Sequence, residues 1–158
     1  MALLSEIAGR LLRLPAPATR ELVLDRDLPL PMDDGVVLLA DRYAVPGAGA
    51  TPTVLVRSPY GRRDAFGLLF GRLLAERGLQ VVVQSVRGTF GSGGRFDPFN
   101  EREDGLATLR WLRAQPWHHG PVGMMGPSYM GIVQWAIADE LDAMGPSVTA
   151  SEFHGRPR

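Results

Sequence analysis

VGMMGPSYMGIVQWA, residues 122–136, joins an apolar run to a turn of small residues and then to an amphipathic stretch. Val122–Met125 reads as a short buried strand. The spacing of Val133, Ile137, Leu141 and Met144 predicts a helix over 129–144, ended by Gly145-Pro146. Between them stands Gly126-Pro127-Ser128-Tyr129-Met130-Gly131. A serine on a sharp strand-to-helix turn, flanked by small residues, is what a nucleophile elbow needs, and it requires positive φ at Ser128. The general G-x-S-x-G spacing is missed by one position, because Met130 stands where the second glycine belongs. The same residues also fit an ordinary serine N-cap. The strand directly before and the helix directly after favour the elbow.

Working outward, the same alternation recurs. Leu79–Val86 (LQVVVQSV) is a near-continuous apolar strand of the kind buried on both faces of a parallel sheet. Residues 65–77 carry Phe66, Leu69, Phe70, Leu73 and Leu74 at helical spacing, with Gly78 as C′ residue. Residues 103–115 form a second helix, turning Leu106, Leu109 and Leu112 inward and stopping at Pro116. Thr53–Val56 is a buried strand, and Ser147–Ala150 begins a further one. Nearer the N-terminus, Leu22–Leu24 and Val36–Tyr43 flank Asp33-Asp34-Gly35, a hairpin signal. The expected fold is α/β, a mixed, mostly parallel sheet flanked by helices. Ligands in such sheets bind beyond the carboxyl ends of the strands, here the loops 58–64, 87–97 and 126–131.

Residues 1–20 read as a separate amphipathic helix and linker, with 21–158 as the domain. Leu3, Leu4, Ile7, Leu11 and Leu14 share one helical face, expected to pack on the domain, and PAPATR (15–20) is hinge-like. A membrane-surface anchor is the alternative for this helix, and Glu6 beside its arginines argues against it. Glu6 and Arg10 interrupt any signal-peptide core, and no run is long enough to span a bilayer, so a cytoplasmic, non-membrane protein is expected. The 158 residues carry 17 acidic and 17 basic side chains, so no overall field draws the chain to nucleic acid. Cysteine and lysine are both absent, which removes disulfides, thiolate zinc sites, a P-loop lysine and a Ser-Lys dyad. Gly88–Gly94 (GTFGSGG) lacks nucleotide-loop spacing, and His118-His119 has no neighbouring carboxylate cluster, so no cofactor or metal is expected. Glu101–Asp104 is placed to favour a helix dipole.

DDGVVLLADRY (33–43), VLVRSPYGRRD (54–64), VVVQSVRGTFGSGGRFDPF (81–99), EDGLATLRWLRAQPW (103–117) and VGMMGPSYMGIVQW (122–135) stand in an order that resembles the N-terminal part of the cocaine esterase and X-Pro dipeptidyl-peptidase family. These are serine hydrolases of the α/β-hydrolase fold (CocE/NonD type), and the G-x-S-Y-x-G form of the elbow is the family's own. The resemblance implies that Ser128 is the nucleophile. It implies that the backbone N–H of Tyr129 and the hydroxyl of Tyr60 are the oxyanion donors. From the residues alone, Tyr60 equally fits a loop aromatic covering the sheet end.

The resemblance further implies a small ester, amide or short peptide as substrate, attacked through an acyl-enzyme. Amino-acid esters, aromatic esters, X-Pro peptides and acylated β-lactams all remain open. The order Ser, then Asp or Glu, then His places the remaining triad members after Ser128. No family position for either is found in the 30 residues that follow, and His154 is read as structural or incidental. The expectation is therefore a partial α/β-hydrolase domain lacking the acid and histidine. The alternative is a non-catalytic remnant or interaction module. A sheet edge near 147–150 is expected to favour self-association.

Overall fold

A computed structural model describes residues 2–98 and 100–150. Its elements are α1 (Ala2–Leu11), β1 (Val23–Pro31), β2 (Val37–Ala44), β3 (Thr53–Ser58), α2 (residues 64–75), β4 (Gln80–Ser85), α3 (Glu101–Arg113), β5 (Val122–Pro127), α4 (Tyr129–Trp135) and β6 (Ala143–Ser147). Within α2 the segment Gly67–Arg72 is π-helical. The six strands form one sheet in the order β1-β2-β4-β3-β5-β6. β4, β3, β5 and β6 are mutually parallel, and β2 runs antiparallel to both β1 and β4. The mixed α/β sheet is thus as the alternating pattern requires.

β4 is buried along its whole length, and period-two alternation sorts its side chains. Val82 joins Leu55, Leu109, Leu112, Val122, Val133 and Ile137 in one core. Val81 and Val83 join Val56, Tyr43 and Met130 on the other face, against Phe66, Phe70 and Leu74 of α2. Each such aliphatic side chain contributes about 1.5–3 kcal/mol by leaving water. β1 carries Pro29 and Pro31 and lies at one edge of the sheet, where a missing N–H is tolerated. The hairpin turn sits at Asp34, whose side chain accepts from the N–H of Val36 at 3.1 Å.

Two elements differ from expectation. The helix after Ser128 ends at Trp135, and a 3₁₀ turn at Ala138–Glu140 leads into β6, which spans 143–147 rather than beginning at 147. Tertiary partners end the helix early. Gln134 is fully buried, and its Oε1 accepts from the N–H of Gly145 at 3.0 Å. Asp142 accepts from the N–H of Val122 at 2.8 Å, and Met144 pairs with Met124 across the ladder.

The second difference is α1. Its apolar stripe does not pack on the domain: Leu3 is 69% and Leu11 78% exposed, with Leu4 and Ile7 also exposed. The opposite face docks. Ser5 is buried and donates to the carboxylate of Glu76 at 3.0 Å, and Gly9 lies against Arg77. Glu76 is itself fully buried and receives Arg72 at 2.8 Å and Arg20 at 3.5 Å. A buried carboxylate must be paired, so this polar anchor, not the leucines, sets the orientation of the helix.

Candidate active site

β5 delivers the chain to the carboxyl edge of the sheet and α4 takes it away. Ser128, between them, has φ 55° and ψ −124° and is exposed. That is the strained, positive-φ turn an elbow demands. Two neighbours make it possible by lacking side chains. Gly126 has φ 140°, and a Cβ there would stand 2.6 Å from that of Met130. A Cβ on Gly131 would stand 2.7 Å from the Cβ of Thr149. The N–H of Ser128 donates to the carbonyl of Ser147 at 3.0 Å, and its own carbonyl accepts from Gly131 and Ile132 at 2.8 and 3.2 Å.

β3 ends at Ser58 on the same edge, and Ser58 Oγ accepts from the N–H of Tyr60 at 3.0 Å, turning the loop. The Tyr60 ring stacks on Phe66, with centroids 5.5 Å apart. Its hydroxyl comes to 3.4 Å from Ser128 Oγ. Arg62 braces this loop from below. It is buried and donates to Asp41 at 3.1 Å, Ser85 Oγ at 3.0 Å and the Phe90 carbonyl at 2.6 Å. Tyr60, Phe66, Phe90 and Arg63 border a cavity of about 470 Å³. A larger one, about 720 Å³, is bordered by Asp34, Arg87 and Phe96, and Ser128 lines neither cavity. Tyr129 is the first residue of α4, so its N–H has no acceptor within the helix.

The sequence pattern of the X-Pro dipeptidyl-peptidase family (S15) matches residues 34–155. The chain belongs to this family. It is 38% identical over 141 residues to cocaine esterase from Rhodococcus sp. (strain MB1 Bresler), an alignment that takes in 81% of this chain and 24% of that protein. It therefore spans about a quarter of the length of the curated relative it matches. Among solved structures, a CocE/NonD family hydrolase from Staphylococcus aureus superposes with TM-score 0.69 at 25% identity, over 78% of this chain and 27% of the other. An α-amino acid ester hydrolase superposes with TM-score 0.65 at 26% identity, over 81% and 25%. A lidless α/β serine hydrolase from Xanthomonas campestris, at 24% identity and TM-score 0.63 over 84% and 63%, shares the fold.

In this S15 chain the side chain of Tyr129 is buried, and its hydroxyl donates to the carboxylate of Glu101. Burial first, and the adjacent carboxylate second, hold that phenol far above its ordinary pKa, so it stays a donor. Glu101 in turn faces Arg57, which is 0% exposed. Arg57 Nη2 and Glu101 Oε2 lie 2.8 Å apart but off the hydrogen-bonding axis, so their attraction is ionic. Arg57 also donates to Gln84 at 2.7 Å and to the carbonyl of Glu101 at 3.0 Å. Neither Arg57 nor Glu101 was singled out by the sequence patterns as a site residue. The signal for Arg57 was a charged residue inside the apolar run VLVRS, since a charge buried in a strand requires a partner. The acidic start of α3 lies in the first turn, as the helix-dipole reading expects, and it also meets arginines: Asp104 receives half-buried Arg87 at 2.6 Å as Glu101 receives buried Arg57.

His118 lies at the amino edge of the sheet, its Nδ1 3.1 Å from Oγ1 of Thr53, the first residue of β3. Burial, then its neighbours His119 and Arg113, lower its pKa. The structure brings Ser128 and Tyr60 together and leaves both described histidines on the far side. His154 falls outside the described residues. Among the described residues no cluster of three metal-ligating side chains occurs, and no helix is long and apolar enough to cross a membrane.

Proposed function

We propose that the chain carries the nucleophile and oxyanion hole of a serine hydrolase that cleaves small esters, amides or short peptides through an acyl-enzyme. The observation that supports this most is the 3.4 Å approach of the Tyr60 hydroxyl to Ser128 Oγ on a positive-φ turn. Ser128 Oγ attacks the carbonyl carbon. The carbonyl oxygen becomes an oxyanion that accepts from the Tyr60 hydroxyl and the Tyr129 N–H. The alcohol or amine leaves, and water then releases the acid. The names of the relatives, a cocaine esterase and an α-amino acid ester hydrolase, support an ester as the first substrate to try.

The base that takes the serine proton is not one of the described histidines, and Tyr60 and Tyr129 are donors rather than bases. An acid and a histidine supplied from outside the described residues would complete the triad. A specific observation also favours a non-catalytic module as second reading: both described histidines stand at the wrong edge. β6 forms one edge of the described sheet, and pairing of two copies along it is a further expectation, checked by sedimentation.

The deciding experiment is a fluorophosphonate probe with and without a high concentration of imidazole as external base. Oγ bonds to phosphorus, fluoride leaves, and imidazole takes the proton. The expected result is stoichiometric labelling of Ser128 in imidazole, little labelling without it, and none in Ser128→Ala. No labelling in either condition overturns the reading in favour of the non-catalytic module.

A further inference from the structure

The Tyr129 side chain reaches away from the catalytic edge into the layer between sheet and α3. It is buried there although its phenol is polar, and it ends on the carboxylate of Glu101. Burying a carboxylate and a guanidinium is expensive unless both are fully engaged. Here Arg57 Nη2 and Glu101 Oε2 face each other at 2.8 Å as an ion pair without a hydrogen bond, while Arg57 is also held by Gln84 and by the Glu101 carbonyl, and Gln84 donates to Thr108 at 2.8 Å. Thr108 Oγ1 closes the chain on the carbonyl of Asp104 at 2.7 Å. Arg57 and Gln84 are also cross-strand partners in the β3–β4 ladder. The network therefore grips two central strands and α3 at once, and its outermost atom is the hydroxyl of the residue after Ser128.

We infer that Glu101, clamped by Arg57, is a positioning residue that orients the Tyr129 N–H as an oxyanion donor by holding the Tyr129 phenol. A tyrosine fixed at both ends, by the α4 backbone and by its hydroxyl, cannot swing about Cα without breaking the bond to Glu101. The peptide plane between Ser128 and Tyr129 is thereby pinned to the rigid middle of the sheet rather than to a seven-residue helix alone. An oxyanion donor must be preorganised to within a few tenths of an ångström to stabilise charge as it develops. A hydrophobic residue at 129 would fill the space but fix no direction.

This inference rests on the reading of Ser128 as nucleophile, and the test separates the two. Wild type, Tyr129→Phe and Glu101→Gln are labelled with the fluorophosphonate in imidazole. Tyr129→Phe removes only the hydroxyl and leaves the Glu101–Arg57 pair intact. Glu101→Gln keeps an acceptor for the phenol but loses the charge, and it carries the test if the first variant does not fold. Labelling is expected to slow by ~10–100-fold in Tyr129→Phe and by less in Glu101→Gln. In the phosphonylated wild type the Tyr129 amide proton is expected to move downfield in ¹H–¹⁵N spectra, as it donates to the phosphonyl oxygen, and Tyr129→Phe is expected to lose much of that shift. A merely structural role would lower Tm yet leave the labelling rate and the amide shift of the adduct unchanged, and that result overturns the inference while sparing the nucleophile. Wild type that does not label overturns both.

Discussion

α1 and α4 both carry an apolar stripe at helical spacing, yet they use it in opposite ways. In α4 the stripe faces the core: Met130, Val133 and the following Ile137 are buried. In α1 it faces away, and a serine and a glycine make the contact. Periodicity says which side chains share a face. It does not say which face docks, and that is settled by what the receiving surface offers. At α1 the receiving surface offers buried Glu76, whereas at α4 it offers the aliphatic faces of the central strands.

The sharpest way to break this contrast is to shave each stripe. Ile137→Ala is expected to cost about 2–5 kcal/mol, read from urea denaturation, because the cavity it leaves lies inside the main core. An unchanged midpoint would place α4 on the same footing as α1. Next in size, Glu76→Gln is expected to cost about 1–3 kcal/mol by leaving charged partners imperfectly met. Its signature is local: faster amide hydrogen exchange in α1 with the sheet protected.

A smaller effect concerns pH. Arg102 hydrogen-bonds Asp139 at 2.8 Å and 2.9 Å, joining α3 to the turn after α4, and holds that carboxyl below its ordinary 3.8. A depressed carboxyl stabilises the fold above its unfolded pKa and loses that contribution as pH falls through the folded value. NMR titration of Asp139 should therefore give a midpoint below 3.8 that rises toward it in Arg102→Ala. The least effect belongs to Ile7→Ser, expected within about 0.5 kcal/mol because the side chain is already exposed. A loss near that of Ile137→Ala would mean that the α1 stripe is covered in solution.

The elbow was legible because its constraints are local. Gly126 and Ser128 have reasons for standing where they do within six residues, the Met130 Cβ and the positive-φ turn, whereas the steric reason for Gly131 is Thr149, farther along the chain. The β4 run VVV was legible because three consecutive β-branched apolar residues suit a strand buried on both faces. What the patterns misread depends on partners distant in sequence. Leu141 and Met144 continue the helical stripe by spacing, but Met144 is claimed by Met124 in the ladder. The orientation of α1 is set by Glu76, 71 residues from Ser5. Tyr60 is proposed as an oxyanion donor through resemblance, since nothing in its own stretch of sequence separates such a donor from a loop aromatic. Glu101 stands in the first turn of α3 as the dipole reading expects, but its tie to Arg57 was not legible because it spans the fold.

The bond from the Ser128 N–H to the Ser147 carbonyl makes the serine the last rung between β5 and β6. Its position is thus a mechanical property of the outermost described strand. A load applied along β6 is transmitted to Oγ through one hydrogen bond, with no loop between them to absorb it. A stiffer β6 narrows the thermal excursions of the hydroxyl, and a frayed one widens them, without any change in the residues that face the carbonyl.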